Sequence, residues 1–354
     1  MRLIEWRGKQ LLRQHGIPTP RGSLAASPGD VDGISLPLPW MLKAQVPIGG
    51  RGKAGGVVRA DSRGEARESM AHLLDSTLHG FPVREVLVEE HLAHDDERYL
   101  AVTVDRGHGM PLLLYGRQGG VDVERQGEVL RLPVHPLAGL QPYQLRQLGD
   151  HADVARHLYR LFRSCDCRLA EINPLAIVDG DPVALDAKIE IDDSALFRHD
   201  ELPRDDPALT DLEREARDAG LAFVQLEGNI GVIANGAGLT MATLDALERY
   251  GGRGMFLDLS GTDSAARVKQ AFEILCRASP DVVFVNLFGG ITKCDTVAQG
   301  ILDALDETGV DVPVVARIRG TNEERAAEML AGRAVMVPSF QEAAQTAAEL
   351  GRHP

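Results

Sequence analysis

The chain has 354 residues, of which 44% are hydrophobic and 25% are charged, a composition typical of a globular protein that argues against intrinsic disorder. Its 38 Lys and Arg stand against 52 Asp and Glu, and the formal net charge of −14 argues against bulk electrostatic binding to nucleic acid or an anionic membrane. The length predicts two domains, because single hydrophobic cores stop growing at roughly 250–300 residues.

The cysteines and the start of the chain indicate a protein of the cytoplasm. Four cysteines without a CxxC pair argue against a zinc cluster and a disulfide framework, and they fit a reducing compartment. The first residues, MRLIEWRGKQLLRQHG, form a periodic amphipathic stretch rather than a signal peptide. No apolar run reaches the roughly 18–20 residues of a membrane span, so we expect a soluble cytoplasmic protein.

The first half of the chain predicts helices together with largely antiparallel strands. Apolar residues recur at helical spacing over 2–15, and Gly16 ends that helix. Two strands, 38–46 and 57–60, flank a glycine-rich turn at 48–56. Further helices are predicted over 63–78 and 143–164, and further strands over 83–92, 98–105 and 111–116.

A polar segment separates this half from a second half with a different pattern. Residues 198–215 contain two prolines and lack an apolar period until their end, so we place a linker at 201–220 between domains at 1–200 and 221–354. Beyond it, short strands that are apolar throughout each precede a helix. This alternation predicts a doubly wound parallel sheet that is buried on both faces, within an α/β fold class.

A glycine-rich turn that follows Lys43 is the first candidate site. Its residues, IGGRGKAGG, allow backbone N–H groups to approach a polyanion closely, and Arg51 and Lys53 add positive charge. The turn has neither the Walker A pattern nor a GxGxxG that enters a helix, so it predicts neither a P-loop nor a dinucleotide site. The alternative is a solvated basic hairpin tip without a ligand.

A predicted β-hairpin, formed by LAEINPLAIV and VALDAKIEI around a DGD turn, carries the second candidate site. Asn173 and Asp186 lie on its neighbouring strands, and their oxygens suit Mg²⁺, which prefers hard oxygen ligands and nucleotide phosphates. Glu171 precedes Asn173 on the first strand. Lys188 lies two residues beyond Asp186, so we expect it on the same side of the second strand. The alternative is ordinary polar decoration of a hairpin.

Four turns that end the strands of the second half form the third candidate site. In a parallel sheet such turns gather at the carboxyl edge, where helix N-termini offer free N–H groups to a carboxylate or phosphate. Packing at tight corners is the alternative explanation for some of their glycines. The turns are Asn235-Gly236-Ala237-Gly238, Ser260-Gly261-Thr262, Gly289-Gly290-Ile291-Thr292 and Gly320-Thr321-Asn322.

Long segments of the chain resemble the β subunit of ADP-forming succinate–CoA ligase and its malate–CoA ligase relatives. The segments that carry the resemblance span nearly the whole chain: LLRQHGIPTPRG, KAQVPIGGRGKAGGV, LVEEHLAHDDERYL, QGGVDVE, LAEINPLAIV with ALDAKIEIDDSALFR, LEGNIGVIANGAGLTMATLD and VNLFGGITKCD. The resemblance implies an α+β ATP-grasp nucleotide-binding domain followed by a flavodoxin-like CoA-ligase domain.

The resemblance also implies roles for individual residues. Those implied to bind the nucleotide are Lys43, Gly50, Arg51, Gly52, Glu89, Leu92 and Glu97. Asn173 and Asp186 are implied to hold Mg²⁺, and Glu171 is implied to be the catalytic acidic residue that steadies a phosphorylated histidine. Those implied to bind the carboxylate substrate are Asn235, Gly290, Ile291 and Thr292.

In the reaction that the resemblance implies, ATP phosphorylates a histidine, the phosphate passes to an acid such as succinate, and CoA displaces it to give a thioester. The histidine and the main CoA site belong to a partner α subunit, in an αβ or α2β2 assembly, and this sequence has no GHAG-type histidine loop. We therefore expect this chain to bind ATP or ADP with Mg²⁺ and a small dicarboxylate, and to need its partner for turnover. Its own contribution is positioning and charge for phosphoryl transfer.

Departures from the family pattern leave the identity of the acid open. Pro47 and Ile48 replace small or histidine residues, Ser260-Gly261-Thr262 replaces a run of glycines, and Thr292 stands where succinate enzymes commonly have Val. A malate-type ligase is therefore one alternative. A stand-alone carboxylate–amine ligase and a non-catalytic nucleotide or acyl-CoA sensor are two others. The second half of the chain argues against the former, and the retained metal ligands argue against the latter.

Overall fold

Two units make up the chain in the computed structural model, Met1–Ala208 and Leu209–Pro354. The residues that the structure describes are 1–120, 129–200, 202, 209–259, 261–290, 292–309 and 312–352. The linker predicted at 201–220 contains the first helix of the second unit, Asp211–Asp218. The side chain of Thr210 accepts from Glu213 N, and Glu213 Oε2 accepts from Thr210 N, so a capping box starts the helix where polarity alone suggested a linker.

The first unit combines four helices with twelve strands within its described residues. The helices are α1 (Glu5–Gln14), α2 (Arg63–Leu74), α3 (Pro142–Leu145) and α4 (Ala152–Ser164). The strands are β1 (Gly22–Ala25), β2 (Trp40–Ala44), β3 (Val57–Ala60), β4 (Thr77–Leu78), β5 (Phe81–Pro82), β6 (Val86–Glu90), β7 (Glu97–Asp105), β8 (Met110–Gly116), β9 (Val129–Pro133), β10 (Cys167–Val178), β11 (Asp181–Ala184) and β12 (Lys188–Ile191).

These strands form two larger antiparallel sheets. One has the order β1-β6-β2-β3, and the other has the order β11-β10-β7-β8-β9 with β12 also paired to β10. The helix predicted over 143–164 is broken, because Gly149 adopts φ 57° and ψ −127° inside the 3-10 segment Arg146–His151 that separates α3 from α4. The antiparallel pattern predicted for this half is confirmed.

The helix α1 buries both apolar and charged residues. Leu11 and Leu12 belong to the main core of the unit, together with residues of β10, β12 and α4. On the same helix, Glu5 and Lys9 are also buried. Their spacing of four residues places them on one face of the helix. There they form an ion pair that is buried inside the unit.

The predicted hairpin is present, but its second strand is interrupted. Both β11 and β12 pair with β10, and residues 185–187 lie between them outside either strand. On β10, the register against β7 shifts between Ile172 and Leu175. Asn173 therefore lies at an irregularity of the sheet, a feature that re-aims side chains and is common beside functional sites.

The second unit is a sheet flanked by helices. Its strands are β13 (Ala222–Val224), β14 (Ile230–Ala234), β15 (Gly254–Asp258), β16 (Val282–Gly289), β17 (Val314–Gly320) and β18 (Val335–Met336). Its helices are α5 (Asp211–Asp218), α6 (Ala237–Arg249), α7 (Ala265–Arg277), α8 (Cys294–Thr308), α9 (Glu323–Leu330) and α10 (Phe340–Leu350).

The sheet of the second unit is parallel, as predicted, except at one edge. Its strand order is β13-β15-β14-β16-β17-β18, and the short β13 alone runs antiparallel among these pairs. Every residue of β14 is buried, which is why its sequence shows no polar alternation. Successive crossovers run outward in both directions from β14 and β16, so their carboxyl ends form a crevice of the kind in which ligands bind.

Candidate functional site

A cleft in the first unit lies between the glycine-rich turn and the interrupted strand of the hairpin. Its volume is about 280 Å³. The predicted site residues that line it are Gly50, Arg51, Glu171, Asn173 and Asp186. Arg51 and Asp186 are 135 positions apart in the chain, and Arg51 Nη2 donates to Asp186 Oδ1 at 2.8 Å. The fold therefore joins the first and second candidate sites into one.

The glycine-rich turn folds back on itself and directs its arginine inward. Lys53 N donates to Gly50 O at 3.1 Å, and Gly56 N donates to Arg51 O at 2.8 Å. Gly50 has a φ of +72°, which favours glycine. Arg51 is only 6% exposed, and its Nη1 donates to Ala44 O at 3.0 Å. For Arg51, the alternative of a solvated hairpin tip is therefore wrong.

Six charged side chains meet at and behind the wall of the cleft, and we call them the charge cluster: Glu5, Lys9, Lys43, Arg51, Glu89 and Asp186. Three are cations and three are carboxylates, so their formal charges cancel. Lys9 Nζ lies 2.7 Å from Glu5 Oε1 and 2.6 Å from Glu89 Oε2. Lys43 Nζ lies 3.0 Å and 2.9 Å from the same two atoms. Both lysines also donate to Leu185 O, at 2.7 and 2.6 Å.

The third cation of the cluster joins it to the cleft. Arg51 Nη2 lies 2.6 Å from Glu5 Oε2 as well as 2.8 Å from Asp186 Oδ1. Glu5 and Asp186 both line the cleft, whereas Lys9 lies behind this lining and is fully buried. The cluster thus has an outer part that a ligand can reach and an inner part that it cannot.

The charges within the cluster set its protonation. Burial alone would raise the pKa of Glu5, but the charges of Arg51, Lys43 and Lys9 outweigh it and hold that pKa well below its usual value. Burial would lower the pKa of Lys43, yet Glu5, Glu89 and Asp186 raise it above its usual value. For Lys9, burial outweighs the pull of Glu5 and lowers the pKa. Lys43 therefore stays cationic at neutral pH.

The structure separates the three residues of LVEEHLAHDDERYL that were predicted to bind nucleotide. Glu89 is 1% exposed and lies inside the charge cluster. Leu92 and Glu97 are instead linked to each other by His94, whose ring nitrogens lie 2.8 Å from Leu92 O and 3.0 Å from Glu97 Oε1. Neither Leu92 nor Glu97 is among the residues that line the cleft, and their nucleotide-binding role stays a prediction.

The wall opposite the glycine-rich turn presents oxygen atoms. Asn173 Oδ1 accepts from Gly120 N at 2.7 Å, and its Nδ2 donates to Gly120 O at 3.1 Å, so the amide is held in one orientation. Asp186 Oδ1 accepts from Ala187 N at 2.7 Å as well as from Arg51. The Asp186 side chain is 38% exposed, which leaves it accessible from the cleft.

Lys188 and Asp186 both line the cleft, but not because they share one side of a strand, as predicted. Asp186 lies in the interruption between β11 and β12, so strand alternation does not apply to it. Leu185 N donates to Pro174 O at 3.1 Å, which extends the pairing of β11 with β10 by one residue before the interruption. Lys188 opens β12 in register with Glu171 on β10, and this pairing places both charged residues at the cleft.

Amide and carboxylate oxygens of this kind fit Mg²⁺, which is usually held by one or two carboxylates together with phosphate oxygens and water. Within the described ranges, no group of three or more His, Cys, Asp and Glu side chains is arranged to hold a metal. A cation bound by Asn173 and Asp186 would therefore take its remaining ligands from solvent or from a bound phosphate.

In the second unit, Asn235 ties together the carboxyl ends of β14 and β16. Its Nδ2 donates to Phe288 O at 2.7 Å, and its Oδ1 accepts from Phe288 N at 3.1 Å. Gly290 follows β16 and is exposed to solvent. Ile291, like Ser260 of the neighbouring turn, lies outside the described residues. Asn235 and Gly290 thus both lie at the carboxyl edge predicted from the strand pattern.

Close backbone contacts shape this edge of the second sheet. A Cβ built on Gly289 would lie 2.5 Å from Cys294 Sγ, and one built on Gly320 would lie 2.2 Å from Gly289 O. Thr292 is 2% exposed, and its Oγ1 has no hydrogen-bond partner in the described part of the chain. A buried hydroxyl without a partner is costly, so this atom is a specific feature of the site.

Two residues of the charge cluster, Glu5 and Lys9, were not predicted as site residues. The sequence does place them together, because an acidic and a basic residue four positions apart lie on the same helical face as the apolar residues that predicted α1. Charged pairs at this spacing are normally solvated. Only the fold shows that Glu5 and Lys9 are buried in ion pairs with Lys43 of β2 and Glu89 of β6.

Comparisons with known proteins agree with this architecture. An ATP-grasp domain family matches residues 2–177, and a CoA-ligase family matches residues 233–350. The β subunit of succinate–CoA ligase [ADP-forming] from Ignicoccus hospitalis is 41% identical over 99% of this chain and 100% of its own length. The corresponding subunit from Chloroflexus aurantiacus is 41% identical over 99% of this chain and 97% of its own length.

The chain belongs to the family of ADP-forming succinate–CoA ligase β subunits. This membership confirms the predicted fold class, an ATP-grasp domain followed by a CoA-ligase domain with a parallel sheet. It also assigns the chain to the acid–thiol ligases, a class that uses ATP or ADP and CoA.

A solved structure shares the fold of this β-subunit family member. ATP citrate lyase from Methanothrix soehngenii, in complex with citrate and coenzyme A, aligns with a TM-score of 0.81 over 98% of this chain and 99% of that chain. The two sequences are 18% identical, so the likeness is one of fold. None of the helices in the described ranges has the length and apolar character needed to cross a bilayer.

Proposed function

We propose that this chain is the nucleotide-binding β subunit of an acid–CoA ligase that converts succinate, CoA and ATP to succinyl-CoA, ADP and phosphate, reversibly. The observation that carries the proposal is the meeting of a glycine-rich turn, Arg51 and the oxygens of Asn173 and Asp186 in one cleft. Backbone N–H groups, a guanidinium and metal-binding oxygens are the groups that position a polyphosphate for transfer.

At that cleft and in the charge cluster behind it, the residues have distinct proposed tasks. Arg51 and the N–H groups of Gly50 and Gly52 hold phosphate oxygens, and Lys43 joins them when the phosphates draw it from the charge cluster. Asn173 and Asp186 hold Mg²⁺, which neutralises phosphate charge when it is bound. All of these groups act by position and charge and not by forming bonds to phosphorus.

The phosphoryl relay is proposed to need a partner. A phosphohistidine on an α subunit accepts the phosphate beside Glu171 and carries it to the acid, so that this chain is active only in an αβ or α2β2 assembly. The description of the relatives as β subunits supports this. Glu171 lies on the cleft wall, where a carboxylate can orient an imidazole by hydrogen bonding. We also propose a cytoplasmic location.

The acid is proposed to bind at the carboxyl edge of the second sheet, near Asn235 and the turn 289–292. One observation favours a hydroxylated dicarboxylate such as malate as a second candidate. Thr292 Oγ1 is buried and has no partner among the described residues, and a hydroxyl on the substrate would supply one. A site built to bond a hydroxyl rejects the analogue that lacks it.

Thioester formation by this chain, measured alone and with its candidate α subunit, tests the proposal. The mixtures contain ATP, Mg²⁺ and CoA with succinate, malate, itaconate, citrate or glutarate in turn. We expect product only when the partner is present, and the preferred acid identifies the substrate. Product from this chain alone would contradict the proposed need for an α subunit. If no acid and no partner gave product, the result would favour a nucleotide or acyl-CoA sensor.

A further inference from the structure

The charge cluster presents a conflict with the proposed nucleotide site. Lys43 and Arg51 are proposed to bind phosphates, yet both are already paired with carboxylates, Lys43 with Glu5 and Glu89 and Arg51 with Glu5 and Asp186. A phosphate therefore competes with these carboxylates for the same cations. If Lys43 and Arg51 turned to the phosphate, Glu5 and Glu89 would lose two of their cationic partners.

Buried carboxylates that lose their partners carry a large penalty. Glu5 is 2% exposed and Glu89 is 1% exposed, so water does not replace a departing cation. Removing one partner of a buried ion pair is strongly destabilising, because the other charge remains uncompensated. Binding of a polyphosphate at this cleft thus requires a cation that stays with both carboxylates.

Lys9 has the contacts that such a cation needs. Its Nζ lies 2.7 Å from Glu5 Oε1 and within 2.7 Å of both oxygens of Glu89. It also donates to Leu185 O at 2.7 Å, so the ammonium group is satisfied without Lys43. Neither lysine lines the cleft, but Lys9 is fully buried whereas Lys43 is 8% exposed, so Lys43 is the lysine that we expect a phosphate to draw out.

We propose that Lys9 is a positioning residue for the nucleotide site: it is the fixed counter-cation of Glu5 and Glu89, and its presence releases Lys43 and Arg51 to a nucleotide polyphosphate. Glu5 has the opposite effect, since its two oxygens hold Lys43 and Arg51 back from the cleft. This inference rests on the proposed function, because it concerns how the same cleft admits ATP.

The proposal predicts changes of opposite sign at two buried residues in contact. Lys9→Met leaves Glu5 and Glu89 dependent on Lys43 and Arg51, so MgATP is expected to bind about tenfold more weakly. Glu5→Gln removes the competitor and is expected to bind MgATP about threefold more tightly. The double variant restores the balance of charge and is expected to lie within about threefold of the unaltered protein.

The experiment measures the dissociation constants of MgATP and adenosine by calorimetry on the full chain, with thermal unfolding as the check on folding. Adenosine affinity should not change in any variant, because the effect acts on phosphates. Lys269→Met is the matched control, since it removes the same charge from the surface of the second unit. A purely structural role for Lys9 would weaken both ligands and would not be rescued by Glu5→Gln.

Three outcomes separate this inference from the function on which it rests. If the unaltered protein does not bind MgATP, the proposed function fails. If it binds MgATP and either Lys9→Met binds equally well or the double variant shows no recovery, the inference is overturned and the function stands. If Lys9→Met does not fold, the Glu5→Gln variant provides the test. Tighter binding of MgATP than in the unaltered protein supports the inference, and equal or weaker binding overturns it.

Discussion

The cleft of the first unit is backed by a cluster of charged side chains, whereas the ends of β14 and β16 in the second unit are followed by the neutral residues Asn235 and Gly290. In the first unit, three cations and three carboxylates cancel one another before any ligand arrives. In the second, Asn235 bonds to the backbone of Phe288, and the turn after β16 approaches the chain at Gly320.

This difference indicates two ways to recognise an anion. A charged cleft is attractive to a polyphosphate, but it has to keep its own charges paired while it is empty. A site formed by backbone groups carries no such constraint and depends instead on the exact path of the backbone. The first unit should therefore be sensitive to changes of charge and to pH, and the second to changes of shape.

The largest effect is expected from removing one carboxylate from the charged cleft of the first unit. Asp186→Ala should reduce MgATP-dependent phosphorylation of the partner histidine about a thousandfold, or ~4 kcal/mol, because it removes a proposed metal ligand and a partner of Arg51. The fold should survive, since the Asp186 side chain is 38% exposed. Transfer of labelled γ-phosphate to the α subunit is the measurement.

The control for this change is Asp181→Ala, which removes an exposed aspartate from the start of β11. Its phosphorylation rate should equal that of the unaltered protein. Full activity in Asp186→Ala would remove the metal assignment, and equal losses in both variants would mean that the hairpin, rather than the carboxylate, is responsible.

Two glycine substitutions test whether the second unit depends on the path of its backbone. A Cβ on Gly289 meets Cys294 Sγ at 2.5 Å and Thr321 N at 3.1 Å, whereas one on Gly290 meets no described atom within 4 Å. Gly289→Ala should therefore lower the free energy of unfolding by about 2 kcal/mol, and Gly290→Ala should change it by less than about 0.5 kcal/mol. Urea denaturation of both variants distinguishes the two sites, and equal losses would contradict the role given to Gly289.

The pH dependence of stability is the third test, and it should appear in the first unit. The pKa of Glu5 is held below its usual value, so its contribution to stability is complete above the unfolded pKa of about 4.3 and is lost as the pH falls through the folded pKa. Unfolding free energies measured from pH 7 downward should fall less steeply in Glu5→Gln, by at most about 1.4 kcal/mol per pH unit.

An exposed glutamate provides the control for this titration. Glu68 lies on the solvent face of α2, so Glu68→Gln should follow the acid curve of the unaltered protein. If Glu5→Gln follows that curve too, the paired carboxylate does not contribute to acid sensitivity.

The features that could be predicted from the sequence are those set by residues close together in the chain. The hairpin placed Asn173 and Asp186 near each other because a short turn joins their strands, and the apolar runs of the second half predicted its parallel sheet. The three-residue β13 went unnoticed because so short a strand has no period, and Gly149 broke a helix whose apolar spacing continues on both sides.

The charge cluster could not be predicted, because its pairs join distant parts of the chain. Lys9 contacts Glu89 across 80 positions, and Arg51 contacts Asp186 across 135. Charged residues at helical or strand spacing are normally exposed, so only the long-range ion pairs with Lys43 and Glu89 make Glu5 and Lys9 part of a site. Thr292 is similar, since its missing partner is a property of the folded turn.

Thr292→Val has a small expected effect on stability, but it tests most directly how the second unit selects its acid. The two side chains have nearly the same shape, and the hydroxyl of Thr292 has no partner among the described residues, so its removal should raise the free energy of unfolding by up to about 1 kcal/mol. With the partner subunit and ATP present, the ratio of the rates with malate and succinate should fall, because only malate can bond to the lost hydroxyl. A loss of stability with an unchanged ratio would mean that Thr292 Oγ1 serves the fold, and the second site would then select its acid by backbone shape alone.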